Sequence, residues 1–95
     1  MVRDNRGVEI DYRSPTPVYQ QIADIIRARI AAGRETGEES EISYPPGRPI
    51  PSLERIRQET GADVKTIQRA VRVLVGEGQV ELVTGKGTFV TERES

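Results

Sequence analysis

Four polar side chains recur on one side of VKTIQRAVRVLVG: Lys65, Gln68, Arg69 and Arg72. At about 100° per residue, Lys65, Arg69 and Arg72 fall within about 60° of one another with Gln68 beside them. Ile67, Ala70, Val71 and Leu74 lie opposite. Arg and Lys reach guanine O6 and N7 as well as phosphate oxygens, and Gln can pair with adenine N6 and N7. Shortly afterwards TGKG (84–87) places Lys86 at the tip of a glycine-rich turn, followed by Thr88. There Gly85 and Gly87 allow positive φ and close backbone approach. A basic tip of this kind can touch phosphates or enter a minor groove. TGKG lacks the spacing and the following helix of a Walker loop, so nucleotide binding is not expected. Taken alone, three basic residues on a helix are also what a solvated face looks like, so the surrounding elements must decide.

Those elements are legible. Asp63 can cap the helix at its start, and Gly76 and Gly78 can end it near residue 75. A short helix precedes it, opening at Ser52, turning Leu53 and Ile56 inward and stopping at Gly61. Two helices joined by a turn, the second polar on its outer face, make a helix-turn-helix. The second helix of such a motif can enter the major groove. VELV (80–83) and TFVT (88–91) are β-rich runs joined into a hairpin by TGKG. Upstream, Tyr19, Ile22, Ala23, Ile26 and Ile30 recur at helical spacing. Thr16 is the expected cap, Pro17 the first helical residue and Gly33 the stop. Arg27 and Arg29 then complement the dipole at the helix end. RETGEESEISY (34–44) has four glutamates and no periodicity, and reads as an exposed acidic loop. PPGRPIPS follows in extended form, its prolines forbidding helix and Ile50 anchoring it. The first 14 residues are polar, with Val8, Ile10 and Tyr12 alternating as a short strand or a loose arm. The expected core is Tyr19, Ile22, Ile26, Ile56, Ile67, Val71, Leu74, Leu82 and Phe89, with Phe89 packing inward beside Leu82.

Composition excludes much else. The 95 residues suffice for one small domain, which buries roughly 60–65% of its unfolded surface. There is no His and no Cys, hence no disulfide and no metal or cofactor site of those ligands. No pattern sets a carboxylate pair in an apolar pocket, and an enzyme is not expected. The absence of cysteine suits a reducing cytoplasm, and no run approaches the ~18 apolar residues of a membrane span. Net charge is −1, but residues 1–43 carry 6 basic and 8 acidic side chains and residues 44–95 carry 8 and 7. The slightly basic second half permits a nucleic-acid partner.

Four stretches, TPVYQQIADIIRARIAAG, PPGRPIPS, TGADVKTIQRAVRVLVGEG and VTGKGTFV, together resemble the winged-helix DNA-binding domain of the GntR family of bacterial transcription regulators. The resemblance covers about residues 15–91, leaving 1–14 as an arm and 92–95 as a tail. It implies a mainly α fold with a small β-hairpin: a three-helix core and a two-stranded wing. It also implies a homodimeric regulator, expected to be a repressor, on a double-stranded operator with two-fold symmetry. Helix 63–75 would read the major groove, and wing 83–88 would contact the backbone or the minor groove. Ser52 matches the helix start that contacts phosphate, Thr66 a recognition-helix threonine and Gly85 the wing-tip glycine, while Lys65 stands where threonine or serine is common. The expected contact set is Ser52, Arg55, Lys65, Thr66, Gln68, Arg69, Arg72, Gly85, Lys86 and Thr88.

The departures from the family pattern are specific. The family usually has arginine at the places of Glu54, Val64 and Gln68. Arg55 can replace the first from a different angle, while Gln68 and Val64 can read adenine and a thymine methyl. The ten residues 34–43 stand where the family commonly has about one. Family members normally continue into an effector-binding, dimerising domain. This chain ends at Ser95 and is either a stand-alone reader, favoured by Met1 and the short polar tail, or a fragment. Without that domain, no small-molecule site is recognised, and a monomer or weak dimer placing two copies on an operator is expected. A protein-interaction module, or a component of a plasmid or phage DNA complex, is the alternative. Retention on heparin or random duplex at low salt separates the DNA reader from the protein module.

Overall fold

A computed structural model describes residues 10–92. In chain order it contains α1 (Val18–Thr36), α2 (Leu53–Thr60), α3 (Val64–Gly76), β1 (Val80–Val83) and β2 (Gly87–Val90). The three helices enclose the core, and the strands form a two-stranded antiparallel sheet with Val80 opposite Val90 and Leu82 opposite Thr88. None of the described helices is long and apolar enough to cross a membrane.

The caps of the helix-turn-helix are as the sequence implies. The Ser52 hydroxyl accepts from the Arg55 N–H at 3.2 Å and the Asp63 carboxylate from the Thr66 N–H at 2.9 Å. Each satisfies an amide that the first helical turn leaves without a partner. Hydrogen bonds from Thr66, side chain first and then backbone, hold Asp63 below the usual carboxylate range. Between the two helices Gly61 takes φ 79°, a left-handed conformation that reverses the chain in one residue. Ile67, Ala70, Val71 and Leu74 are buried along α3 and meet Ile22, Ala23, Ile26 and Ile30 of α1 in one core.

α1 differs from expectation at both ends. Pro17 occupies the cap position, and neither it nor Thr16 supplies a side-chain cap. The helix also runs through Gly33 to Thr36 and is closed by Gly37. Gly33 therefore does not stop the helix; it lets another segment touch it. A Cβ there would lie 2.3 Å from the Tyr44 carbonyl carbon and 2.4 Å from the Pro45 nitrogen. Arg27 and Arg29 are consequently mid-helix, and Arg34 is the basic residue of the last turn. Arg29 is buried, and its guanidinium donates to the Tyr44 hydroxyl at 2.7 Å and to Glu59 at 3.2 Å. Burial pushes the Tyr44 phenol above its ordinary range, so it stays protonated. This trio, with Arg29 and Tyr44 buried and Glu59 half-buried, ties α1, the segment after the acidic loop and α2 together.

Of the expected acidic loop 34–44, residues 34–36 are the last turn of α1 and Ser43 and Tyr44 are buried; the exposed part, 37–42, is folded on itself. Ser40 and Ser43 pair as a one-rung bridge, and the Ser43 hydroxyl donates to the Glu38 carbonyl at 2.6 Å. Because Tyr44 N–H donates to the Arg29 carbonyl at 2.9 Å, residues 37–43 leave the end of α1 and return beside it. PPGRPIPS is extended only in part: Pro46 and Gly47 form a turn, with Gly47 at φ 81° and the Arg48 N–H donating to the Pro45 carbonyl at 3.3 Å, and the segment then pairs with β2 from Pro49. Gly47 donates to the Val90 carbonyl, Val90 to that of Arg48 and Ile50 to that of Thr88, all at 2.9 Å. Ile50 is buried.

Three residues expected in the core, Leu82, Phe89 and Tyr19, are not buried. Leu82 is 66% exposed, and Phe89 is half-buried on the other face of the hairpin, opposite Glu81. The inward pair is Val80 and Val90, at 2% and 1%. Each strand residue advances about 3.3 Å, so two residues past Val80 the strand has left the cover of the helices. Tyr19 is half-buried at the core margin. Of the expected arm, Val8 lies outside the described residues. Ile10 and Tyr12 follow a turn rather than a strand. Tyr12 hydroxyl donates to the Thr60 carbonyl at 2.9 Å, and Gln21 bonds Asp11 through both backbone groups, laying residues 10–16 on α1 and α2.

Candidate nucleic-acid interface

α3 presents the proposed chemistry on an open face. Lys65, Gln68, Arg69 and Arg72 are all exposed, while Thr66 is half-buried at the first turn. From Val64 to Gly76 the helix carries no acidic residue. Val64, on the same side as Gln68 one turn earlier, is 40% exposed.

The wing closes one flank of this face. Gln68, Arg72 and Thr88 line a single depression together with the apolar Leu53, Val71 and Leu82. Ser52, Lys86 and Thr88 line the adjoining cleft, which shares Leu53 and Val71 with the first. Thus the structure brings Ser52, Gln68, Arg72, Lys86 and Thr88 around one continuous recess between α2, α3 and the wing. Gly85, at φ 79°, forms the bend of the tip with nothing within 4 Å of a would-be Cβ. Lys86 N–H donates back to the Val83 carbonyl at 2.9 Å, closing the turn and leaving its exposed ammonium beyond the sheet.

Lys65 and Arg69 share the outer face of α3 but do not line that recess. Arg69 instead lies over the Tyr19 ring of α1, with its Cζ 4.0 Å from the centroid. Arg55 stands apart on α2, 3.6 Å from Glu41 and 4.0 Å from Glu59. Two residues that the sequence reading did not place at the surface therefore belong to it. Leu82 lines the recess, and Tyr19 carries Arg69. The Leu82 to Thr88 register was available from hairpin pairing across a TGKG turn; nothing local could have revealed the Tyr19 contact, which spans 50 positions.

Charge is sorted by place. Among the described residues, Arg27, Arg29, Arg48, Arg55 and Arg57 each have a carboxylate oxygen within 4.0 Å. Lys65, Arg69, Arg72 and Lys86 have no such partner among them; off this face, Arg13 in the segment before α1 has none either. Cations left without carboxylates on one face create a positive potential there although the whole chain is near neutral.

A three-helix core whose last helix is flanked by an antiparallel hairpin defines a winged helix-turn-helix protein. Residues 18–90 match the family model described as bacterial regulatory proteins, gntR family. The chain belongs to the GntR family. It is 36% identical over 76 residues to the mannosyl-D-glycerate transport/metabolism system repressor MngR of Escherichia coli, covering 80% of this chain and 28% of that protein. Among solved structures it resembles YtrA from Sulfolobus acidocaldarius, a GntR-family transcription factor. That likeness has a TM-score of 0.68 at 33% identity, over 93% of this chain and 66% of the other. It also resembles the AraR DNA-binding domain in complex with operator ORX1. There the TM-score is 0.71 at 28% identity, over 88% and 96% of the two chains. The chain spans less than a third of the length of MngR.

Proposed function

We propose that this chain binds double-stranded DNA as a transcription regulator, a repressor like its named relative, with α3 in the major groove and the wing on the adjoining backbone or minor groove. The observation that carries the reading is the set of four cations without carboxylate partners on α3 and the wing tip. Five of the described arginines elsewhere, Arg27, Arg29, Arg48, Arg55 and Arg57, lie within 4.0 Å of a carboxylate, whereas these four do not and can displace counterions from phosphates. Ser52 and Thr88 would hold phosphates, Gln68 would pair with adenine, and Arg72, Lys65 and Arg69 would supply guanine or phosphate contacts. Thr66 and Gly85 would act through backbone approach at the helix start and the wing tip. Arg55 would join once released from Glu41. The part described binds rather than catalyses, and its site of action is the cytoplasm, where bacterial DNA is. Selection from a random duplex pool tests the whole reading. Recovery of one motif, with binding lost as salt rises, supports it, whereas failure to hold any duplex or heparin at low salt leaves the protein-interaction reading.

Helix and wing should divide the work. Arg69→Ala is expected to weaken binding to the selected duplex by about 1–3 kcal/mol. Lys86→Ala is expected to weaken all sequences alike and to flatten the slope of log affinity against log salt by about one. Unchanged affinity in both variants would rule out this docking. Repeating the selection with Gln68→Arg should move one position of the motif from adenine towards guanine; an identical motif would take Gln68 away from the bases.

The acidic loop should stay off the DNA. Glu39 sits 3.3 Å from Arg48 and Glu41 sits 3.6 Å from Arg55, so the loop neutralises two cations. Exposed pairs of this kind are worth about 0–1 kcal/mol each. Replacing residues 34–43 by a single residue should therefore leave DNA affinity unchanged or raise it by up to about 1 kcal/mol. A marked loss in a variant that keeps its melting temperature would mean that the loop orders the reading face.

The domain should be a monomer or weak dimer in dilute solution and place two copies on an operator. The large apolar side chains exposed among the described residues are Tyr12, Ile42, Val64 and Leu82, each on a different segment, too few for a standard ~1,600 Å² interface. Sedimentation of the free chain, with titration of full and half operators, decides this. A tight DNA-free dimer that survives removal of residues 1–14 would overturn it.

A further inference from the structure

We infer that Tyr19 is a positioning residue of the reading surface, holding the Arg69 guanidinium as a pre-oriented donor for DNA. This rests on the DNA-binding reading above. Tyr19 is the second residue of α1, packed at the margin of the core, and Arg69 reaches it from α3 across the helix interface. The guanidinium carbon stands 4.0 Å from the ring centroid, well inside the distance at which a cation is held by the ring face.

The chemistry of this partner matters. Arg57, by contrast, is fixed by Glu54 through 2.7 Å and 3.1 Å hydrogen bonds. Such a pair consumes N–H donors and cancels charge. A ring accepts no conventional hydrogen bond, so a stacked guanidinium keeps its charge and its five in-plane N–H groups. Tyr19 thereby removes rotamer freedom from a long side chain before DNA arrives and neutralises nothing. Of the other reading residues on α3, Gln68 and Arg72 line the recess beside the wing, so Arg69 is the one arginine of α3 anchored on the α1 side. On a duplex its fork would engage the flank of the groove opposite the wing, so that the two flanks together would fix the tilt of α3.

The test uses the duplex recovered from a random pool by the parent chain. Tyr19→Phe keeps the ring and should bind as the parent does. Tyr19→Leu should bind about three- to tenfold more weakly, the range expected of a cation over an aromatic face. Combining it with Arg69→Ala should cost no more than Arg69→Ala alone. Independent, multiplying losses, or parent-like binding by Tyr19→Leu, would overturn the inference while leaving DNA binding intact. A parent chain that recovers no duplex would overturn both. Because a smaller side chain at the core margin can also lower stability, a second series places progressively fluorinated phenylalanines at position 19. These preserve the ring's shape while draining its negative face. Affinity that falls stepwise with fluorination at constant melting temperature is the expected result; affinity independent of fluorination would refute the role.

Discussion

Leu74→Ala is expected to remove about 2–5 kcal/mol from the stability of the domain, as loss of a fully enclosed leucine does. Leu74 is 0% exposed and closes the buried stripe of α3, the helix that packs against both α1 and α2. The emptied volume is bounded by helices whose ends are fixed by the Ser52 and Asp63 caps and by the Arg29 trio, so partial collapse can recover little of it. A small domain has about 5–15 kcal/mol in total, so this single change consumes a large share. Thermal and urea unfolding should register it, with a midpoint lower by at least about 10 °C. A loss below about 1 kcal/mol would mean that the assigned faces of α3 are wrong.

The second large effect concerns Gly33, and its sign is the opposite of what helix propensity alone gives. Replacing an internal helical glycine by alanine ordinarily stabilises by about 0.5–1 kcal/mol. At Gly33 the new methyl would fall 2.3 Å from the carbonyl carbon of Tyr44 and 2.4 Å from both its oxygen and the Pro45 nitrogen. These are backbone atoms of a segment that is itself buried and tied to α1 by the 2.9 Å hydrogen bond from Tyr44 to Arg29. Neither side can yield without opening the core. Overpacking of this kind costs about 1–3 kcal/mol or more, so Gly33→Ala should destabilise despite the better helix former. Gly76→Ala is the matched control: it is also helical, and nothing stands within 4 Å of its would-be Cβ. It should be neutral or gain up to about 1 kcal/mol. Equal effects of the two substitutions in chemical denaturation would show that Tyr44 and Pro45 do not press on α1.

The helix-turn-helix was readable because its determinants are local. Ser52, Gly61 and Asp63 act within three residues of themselves, and the apolar stripe of α3 repeats at a helical period that no strand could satisfy. The same holds for the two glycines of the wing tip, whose turn is set by residues 83–87. Ends and margins were less readable. Thr16, Pro17 and Gly33 carry the residue types of a helix start and stop, yet α1 passes through Gly33 to a left-handed Gly37, and Gly33 instead meets a return segment that arrives eleven residues later. Its backbone needs Gly33 for contact, which is a different use of the same missing side chain.

The wing exposes a further limit. Four-residue strands with apolar side chains on both faces have no unambiguous inner side, so Leu82 and Phe89 seemed as eligible for the core as Val80 and Val90. Only the position of the helices beneath the first rung settled that choice, since burial of a strand residue depends on what another element covers. The candidate site divides in the same way. By itself the sequence determined its chemistry, because Lys65, Gln68, Arg69 and Arg72 share a helix face by periodicity alone. Tertiary structure decided their states, because pairing is a matter of which charges meet in space: Arg55 is engaged by Glu41 and Glu59, Arg69 rests on Tyr19, and Gln68 and Arg72 open onto the recess under the wing.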